Sequence, residues 1–175
     1  MEKSEKAPAD PFGTALRMLA RRPYSVAELR RNLERKFGNT GSVAKAIARL
    51  RQLGYLDDKQ FALQTASSLA RNRAFGRYRI RRELKSRLVD YKQIEPALDQ
   101  AFEETSEREL LETVLDKKVR TLKPPFTRSR LYSLCQSLMR RGFRSDDIMK
   151  AVRSRPELKT VAEDTGDAEL ESLSD

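Results

Sequence analysis

Histidine and tryptophan are absent from this 175-residue chain, and cysteine occurs once. Without histidine the chain lacks the side chain that most often works as a general base near neutral pH, and a common metal ligand. The lone Cys135 excludes an internal disulfide framework and fits a reducing compartment. It falls within an apolar helical stripe and reads as core, not as a nucleophile. Seven glycines and seven prolines argue against a turn-rich sandwich or barrel. No apolar stretch approaches the roughly 18–20 residues that a membrane span needs. The opening Met1-Glu-Lys-Ser-Glu-Lys is polar where a secretory signal would be apolar, so the expected location is the cytoplasm. A Gly-rich phosphate loop and a Gly-x-Ser-x-Gly elbow are also missing. Catalysis, metal and cofactor are therefore not expected, and a binding function is.

What the chain does have is charge. Hydrophobic residues make up 38% and charged residues 35%, a balance that suits thin helical architectures better than a sphere with a deep core. The net charge is +10, but it is unevenly spread. From Glu157 to Asp175 there are seven acids against Lys159, a net −6, so residues 1–156 carry +10 − (−6) = +16. That surplus implies a polyanionic or acidic partner.

Apolar residues recur at helical spacing and nowhere alternate with period two, so the fold class is all-α. Asp10-Pro11 starts a short helix through Leu16, Leu19 and Ala20. Ser25 and Glu28 form a capping box ahead of Leu29, Leu33 and Phe37, and the 38–41 stretch breaks that helix before Val43, Ile47 and Leu50. Asp57 or Asp58 caps a helix with Phe61, Ala62, Thr65, Leu69 and Ala70. Ile80, Leu84 and Leu88 stripe the next, and Ile94, Leu98 and Phe102 the one after, where Pro96 fits only in a first turn. Ser106 and Glu109 form a second capping box before Leu110, Leu111, Val114, Leu115 and Leu122. Pro124-Pro125 terminates that helix. Leu131, Leu134 and Leu138 precede Gly142 and Phe143, and Ser145 caps a last helix with Ile148 and Val152.

A repeat emerges from these positions. Leu29 to Val43, Ile80 to Ile94, and Leu134 to Ile148 are each 14 residues apart, and Leu33 to Ile47, Leu84 to Leu98, and Leu138 to Val152 repeat the interval one turn on. The units are offset by 51 and 54 residues, and each is preceded by another helix. A three-helix unit used three times follows, each unit too small to fold well alone. The expected division is 11–56, 57–104 and 105–155, between a flexible 1–10 and an acidic 156–175 expected to be disordered.

Two neighbouring stretches are the most specific in the chain. Leu53-Gly-Tyr-Leu-Asp-Asp-Lys-Gln-Phe-Ala62 is followed by Arg71-Asn-Arg-Ala-Phe-Gly-Arg-Tyr-Arg-Ile-Arg-Arg-Glu-Leu84. Together they resemble the RecX family, bacterial regulators of the RecA recombinase. Ser25-Val-Ala-Glu-Leu29 and Leu138-Met-Arg-Arg-Gly-Phe143 resemble its first and third units, so the likeness spans about residues 13–155. The chain departs from the pattern after Leu84, where Lys-Ser-Arg-Leu-Val replaces Lys-Gly-Ile. The resemblance implies an elongated, curved array of three tandem three-helix units that lodges in the groove of the RecA–single-stranded DNA filament. It further implies modulation, usually inhibition, of strand exchange, ATP hydrolysis and co-protease activity, in DNA repair and the SOS response.

The residues by themselves allow a compatible reading. Between Arg71 and Arg87 stand eight basic residues and one acid, Glu83. Arg71, Arg73, Arg77, Arg79, Arg81, Arg82 and Lys85 are the candidates for filament or nucleic-acid contact. Arg77, Arg81 and Lys85 fall on one helical face, and arginine forks suit phosphate or carboxylate. Phe75 and Tyr78 can stack beside them. Gly54, Tyr55, Leu56, Asp57, Asp58, Phe61, Gly76, Ile80, Leu84, Gly142 and Phe143 read as structural. Of these, Tyr55, Leu56 and Phe61 are expected to pack between units, and Gly76 to serve an interhelical turn. The expected partners are the RecA filament and single-stranded or duplex DNA, and the chain is expected to be a monomer. Two rivals remain. One is a winged-helix DNA-binding regulator built on residues 14–56, the other a scaffold for an acidic protein.

Overall fold

The computed structural model describes residues 10–122 and 124–158. The expected lead-in through residue 9 and the acidic stretch from 159 lie outside the described residues. Among those described, nine helices follow one another with no strand. They are α1 (Pro11–Leu19), α2 (Val26–Phe37), α3 (Gly41–Gln52), α4 (Asp58–Arg73), α5 (Arg77–Ser86), α6 (Tyr91–Glu104), α7 (Glu107–Thr121), α8 (Arg128–Arg140) and α9 (Ser145–Arg153). The twelve positions that define the internal repeat all lie on α2, α3, α5, α6, α8 and α9, and none is more than 5% exposed. Their spacing is therefore a core register, three helices to a unit. A winged helix loses its basis, because residues 58–73 form α4 where the wing would be.

By packing, the chain sorts into two compact bodies, and the boundary crosses α4, α5 and α6. The first takes the chain up to Gln64 together with Leu84–Ala97. Its core gathers Ala15, Leu29, Leu33, Val43, Ile47, Leu50 and Leu56, with Phe12, Leu16 and Tyr24 against them. Asp10 caps α1 by accepting from the Gly13 amide at 2.7 Å. Ser25 caps α2 as a capping box requires, its Oγ accepting from the Glu28 amide at 3.1 Å. Glu28 does not complete the box. Its carboxylate takes both guanidinium nitrogens of Arg22 at 2.7 and 3.2 Å instead. Ser25 is fully buried and also donates to the Arg87 carbonyl just past α5.

The second body takes Thr65–Glu83 together with the chain from Leu98. Its core includes Leu111, Val114, Leu115, Leu131, Leu134, Cys135, Leu138, Phe143, Ile148 and Val152. Three expectations are corrected along the chain. Ser145 is the first residue of α9 and not its cap; Arg144 holds the cap position without a side-chain bond. Packing extends past residue 155: Pro156–Leu158 form a helical turn, and Leu158, 1% exposed, belongs to the core. Arg155 anchors that exit by pairing with Glu112 at 2.6 Å and with Asp116. Pro96 is the sixth residue of α6, beyond the first turn. The helix survives because Asp90 caps it through the Lys92 amide at 2.9 Å and because Ile94, Ala97 and Leu98 are buried. Pro96 itself is exposed, so the carbonyl it fails to bond can turn to water.

Candidate nucleic-acid and protein interface

The Gly54-to-Phe61 block works as a helix exit followed by two separate caps. Gly54 takes φ +75° and closes α3 with its own amide on the Arg51 carbonyl at 3.0 Å and the Tyr55 amide on Leu50 at 2.9 Å. This paired closure is a Schellman motif. It turns Tyr55 outward, 58% exposed, and Leu56 inward to the core. Tyr55 is therefore corrected from packing residue to surface residue, while Leu56 and Phe61 are buried as expected. Asp57 caps α4 by accepting from the Lys59 amide at 2.8 Å. Asp58 serves another helix: its Oδ1 accepts from the Val26 amide at the start of α2, 2.8 Å away.

The exit of α5, where the chain departs from the family pattern, uses the same motif with the wrong residue for it. The Leu88 amide bonds Lys85 at 2.9 Å and the Val89 amide bonds Leu84 at 3.1 Å. Leu88 thereby sits at φ +59°, a region costly for a side chain with a Cβ. It is 37% exposed, outside the helix, and Val89 takes the buried place. Leu88 is thus no part of the apolar stripe, which ends at Ile80 and Leu84. Glycine holds the matching exits of α2 and α8, at Gly38 (φ +77°) and Gly142 (φ +91°).

Gly76 and Gly142 form one joint between the start of α5 and the end of α8. The Gly76 amide donates to the Arg141 carbonyl at 2.8 Å, and the Tyr78 amide to the Gly142 carbonyl at 3.2 Å. Between them, the Arg77 amide donates to Glu107 Oε1 at 2.8 Å. The amide-rich start of one helix thus meets the carbonyl-rich end of another, a favourable dipole arrangement. There is no room for side chains here. A Cβ on Gly76 would lie 2.4 Å from the Gly142 oxygen, and one on Gly142 would lie 2.2 Å from the Arg79 nitrogen. Gly76 does not adopt positive φ, so its requirement is space and not turn geometry. Burial holds the Glu107 carboxyl above the ordinary carboxylate range, opposed by the Arg77 amide and charge.

The seven candidate cations have different local surroundings. Arg77 is drawn into ion pairs, its guanidinium 2.7 Å from Asp99 and 3.8 Å from Glu107, with the Phe102 ring 5.2 Å away. Arg71 pairs with Glu104. Arg73 is exposed, and its carbonyl accepts from Arg141 at 2.8 Å. Arg81 lies 5.5 Å from the Tyr78 ring, and Lys85 lies 5.8 Å from Tyr91. Arg79 and Arg82 instead line a groove of about 450 Å³ with Tyr78, Gln136, Met139 and Arg140. Arg140 comes from α8, so sequence distance hid it. A second cationic groove was equally hidden. Between α1 and α2, Arg17, Arg21, Arg35 and Lys36 line about 570 Å³ with no carboxylate among the lining residues. These cations stand 4, 14 and 1 residues apart in sequence and form no dense run for the eye to catch.

Among the described residues no buried side-chain nitrogen or oxygen lacks a partner, and no cluster of acids and cysteine could hold a metal. Burial pushes the Cys135 thiol up to about 11, so it is almost wholly protonated at neutral pH. No described helix is long and apolar enough to cross a membrane.

Three-helix units in tandem, with arginine-lined grooves on their surface, define the class: a helical-repeat protein. Family models of RecX match the chain in order, the first three-helix domain at residues 12–50, the second at 57–98 and the third at 106–152. The regulatory protein RecX of Chlorobaculum tepidum is 33% identical over 153 residues, covering 87% of this chain and 91% of that protein. That of Trichlorobacter lovleyi is 31% identical, covering 79% and 91%. The crystal structure of RecX from Lactobacillus salivarius shares the fold, with a TM-score of 0.71 at 20% identity over 82% of this chain and 93% of that one. The chain belongs to the RecX family of regulatory proteins.

Proposed function

We propose that this protein regulates a RecA-type recombinase by binding its filament on single-stranded DNA and inhibiting strand exchange, ATP hydrolysis and co-protease activity. The observation that carries the reading is the ordered presence of all three RecX domains on one chain. The surplus of cations on residues 1–156 supports it, since such a filament is a polyanion. In this reading the protein acts as a cytoplasmic monomer without catalysis, in DNA repair and the SOS response. Its working units are 11–56, 57–104 and 105–155.

The test is filament ATP hydrolysis. Purified protein, at or below one equivalent per recombinase, should slow hydrolysis on single-stranded DNA. It should be pulled down by recombinase only when DNA and a nucleotide analogue assemble the filament. Arg81→Glu with Lys85→Glu should weaken inhibition while helical content is unchanged. Arg77 is a poor target because Asp99 and Glu107 already hold it. Unchanged hydrolysis with the wild-type protein would remove the reading.

A further inference from the structure

We propose that the groove between α5 and α8 is a binding site for single-stranded nucleic acid, read through stacking as well as charge. The proposal deepens the assignment of the basic block, and it needs no recombinase to be true.

Three features of the groove carry it. Three guanidiniums converge, Arg79 and Arg82 from α5 and Arg140 from α8, and no carboxylate lines the groove with them. Arg77 and Arg71, by contrast, are held by acids. The glycine joint brings the two helices together: the start of α5 meets the end of α8 at Gly76 and Gly142, and Gly142 itself lines the groove.

Tyrosines are the second feature. Tyr78, at 54% exposure, lines the groove, and Tyr132 is 42% exposed on α8. Rings of this size left in water are costly unless something covers them. Gln136 ties the second ring to the groove, its amide nitrogen donating to the Tyr132 hydroxyl at 3.2 Å. Arg140 in turn donates to the Gln136 oxygen at 3.1 Å. Tyr132, Gln136 and Arg140 thus form a hydrogen-bonded row along one face of α8, at successive i, i+4 positions.

The third feature is the combination itself. An unpaired nucleotide presents a phosphate for arginine and a flat base for tyrosine. A duplex offers the phosphates but keeps its bases stacked on one another. An acidic peptide offers carboxylates but nothing for two rings. The groove holds about 450 Å³, within the ordinary range for a small-ligand site.

The experiment is fluorescence anisotropy of the full chain, without recombinase, against a labelled oligothymidylate of roughly 15 nucleotides, the upper span of one single-strand module. Arg82→Gln or Arg140→Gln should weaken binding and flatten the log–log salt dependence by about 0.7 per arginine removed. Tyr78→Leu should weaken binding roughly tenfold and leave the salt slope as it was. Tyr132→Leu, away from the glycine joint, should act in the same direction with the fold untouched. Wild-type affinity in both tyrosine variants would overturn the proposal. So would duplex binding as tight as single-strand binding, or competition by polyglutamate as effective as by unlabelled oligonucleotide at equal charge. Failure here leaves the filament assay standing, and failure there leaves this one standing.

Discussion

A methyl group added at Gly76 has nowhere to go, and the consequence can be worked out from the joint. The new Cβ would sit 2.4 Å from the Gly142 oxygen, where ordinary contact begins at 3.4 Å. The helix ends must therefore part by about 1 Å. That movement stretches the Gly76–Arg141 and Tyr78–Gly142 bonds from 2.8 and 3.2 Å beyond useful length. Two backbone hydrogen bonds contribute about 0.5–1.5 kcal/mol each, and a buried donor left unpaired costs more. The expected loss for Gly76→Ala is about 2–4 kcal/mol, or roughly 4–15 °C in the unfolding midpoint for a chain of this size. Gly142→Ala should lose at least as much, since φ +91° adds backbone strain to the clash. Two other glycines serve as controls. Gly54 has φ +75° but open space around it, so Gly54→Ala should cost about 1 kcal/mol. Gly41 begins α3 with ordinary φ and nothing within 4 Å, so Gly41→Ala should stabilise by about 0.5–1 kcal/mol. Calorimetry on the four variants gives the ranking. The double variant at 76 and 142 should cost less than the sum, because one joint cannot be broken twice. The reasoning is refuted if Gly76→Ala unfolds at or above the midpoint of Gly54→Ala.

Leu88→Gly should stabilise the protein by roughly 0.5–1 kcal/mol, because relief of left-handed strain of about 1–2 kcal/mol outweighs the entropy glycine adds to the unfolded chain; denaturant titration reads the sign. Glu107→Gln should stay within about 1 kcal/mol of wild type in thermal melts at pH 7, since the amide oxygen can still accept from Arg77. Glu107→Ala should fall by about 1–3 kcal/mol through the unpaired donor. Cys135 ionises at about 11 when folded and near 8.5 when unfolded, so above pH 9 the unfolded chain releases a proton that the folded chain keeps. Stability should therefore fall as pH rises from 9 to 11, a slope that Cys135→Val should reduce. Native Cys135 should also resist alkylation at pH 7, and rapid modification would contradict its burial.

Periodicity alone marked the burial pattern. Twelve positions at 14-residue intervals are all core, because a helix of regular pitch must bury the residues that recur on one face. Local chemistry also carried the Ser25 cap, a cap for α4 at Asp57 or Asp58, the glycine exit at Gly54 and the burial of Cys135, since those groups act within a few residues of themselves. What tertiary structure decided are relations between distant residues. Asp58 caps a helix 32 positions earlier, and Arg77 is claimed by acids 22 and 30 positions later. Gly76 needs its bareness because Gly142 stands against it, and Arg140 joins Arg79 and Arg82 only because that joint brings α8 to α5. Tyr55 and Leu88 faced the other way from expectation because a left-handed residue resets the direction of the chain within one peptide. A one-dimensional pattern holds the period of each helix, but the partners of its polar ends and charged tips are chosen by packing.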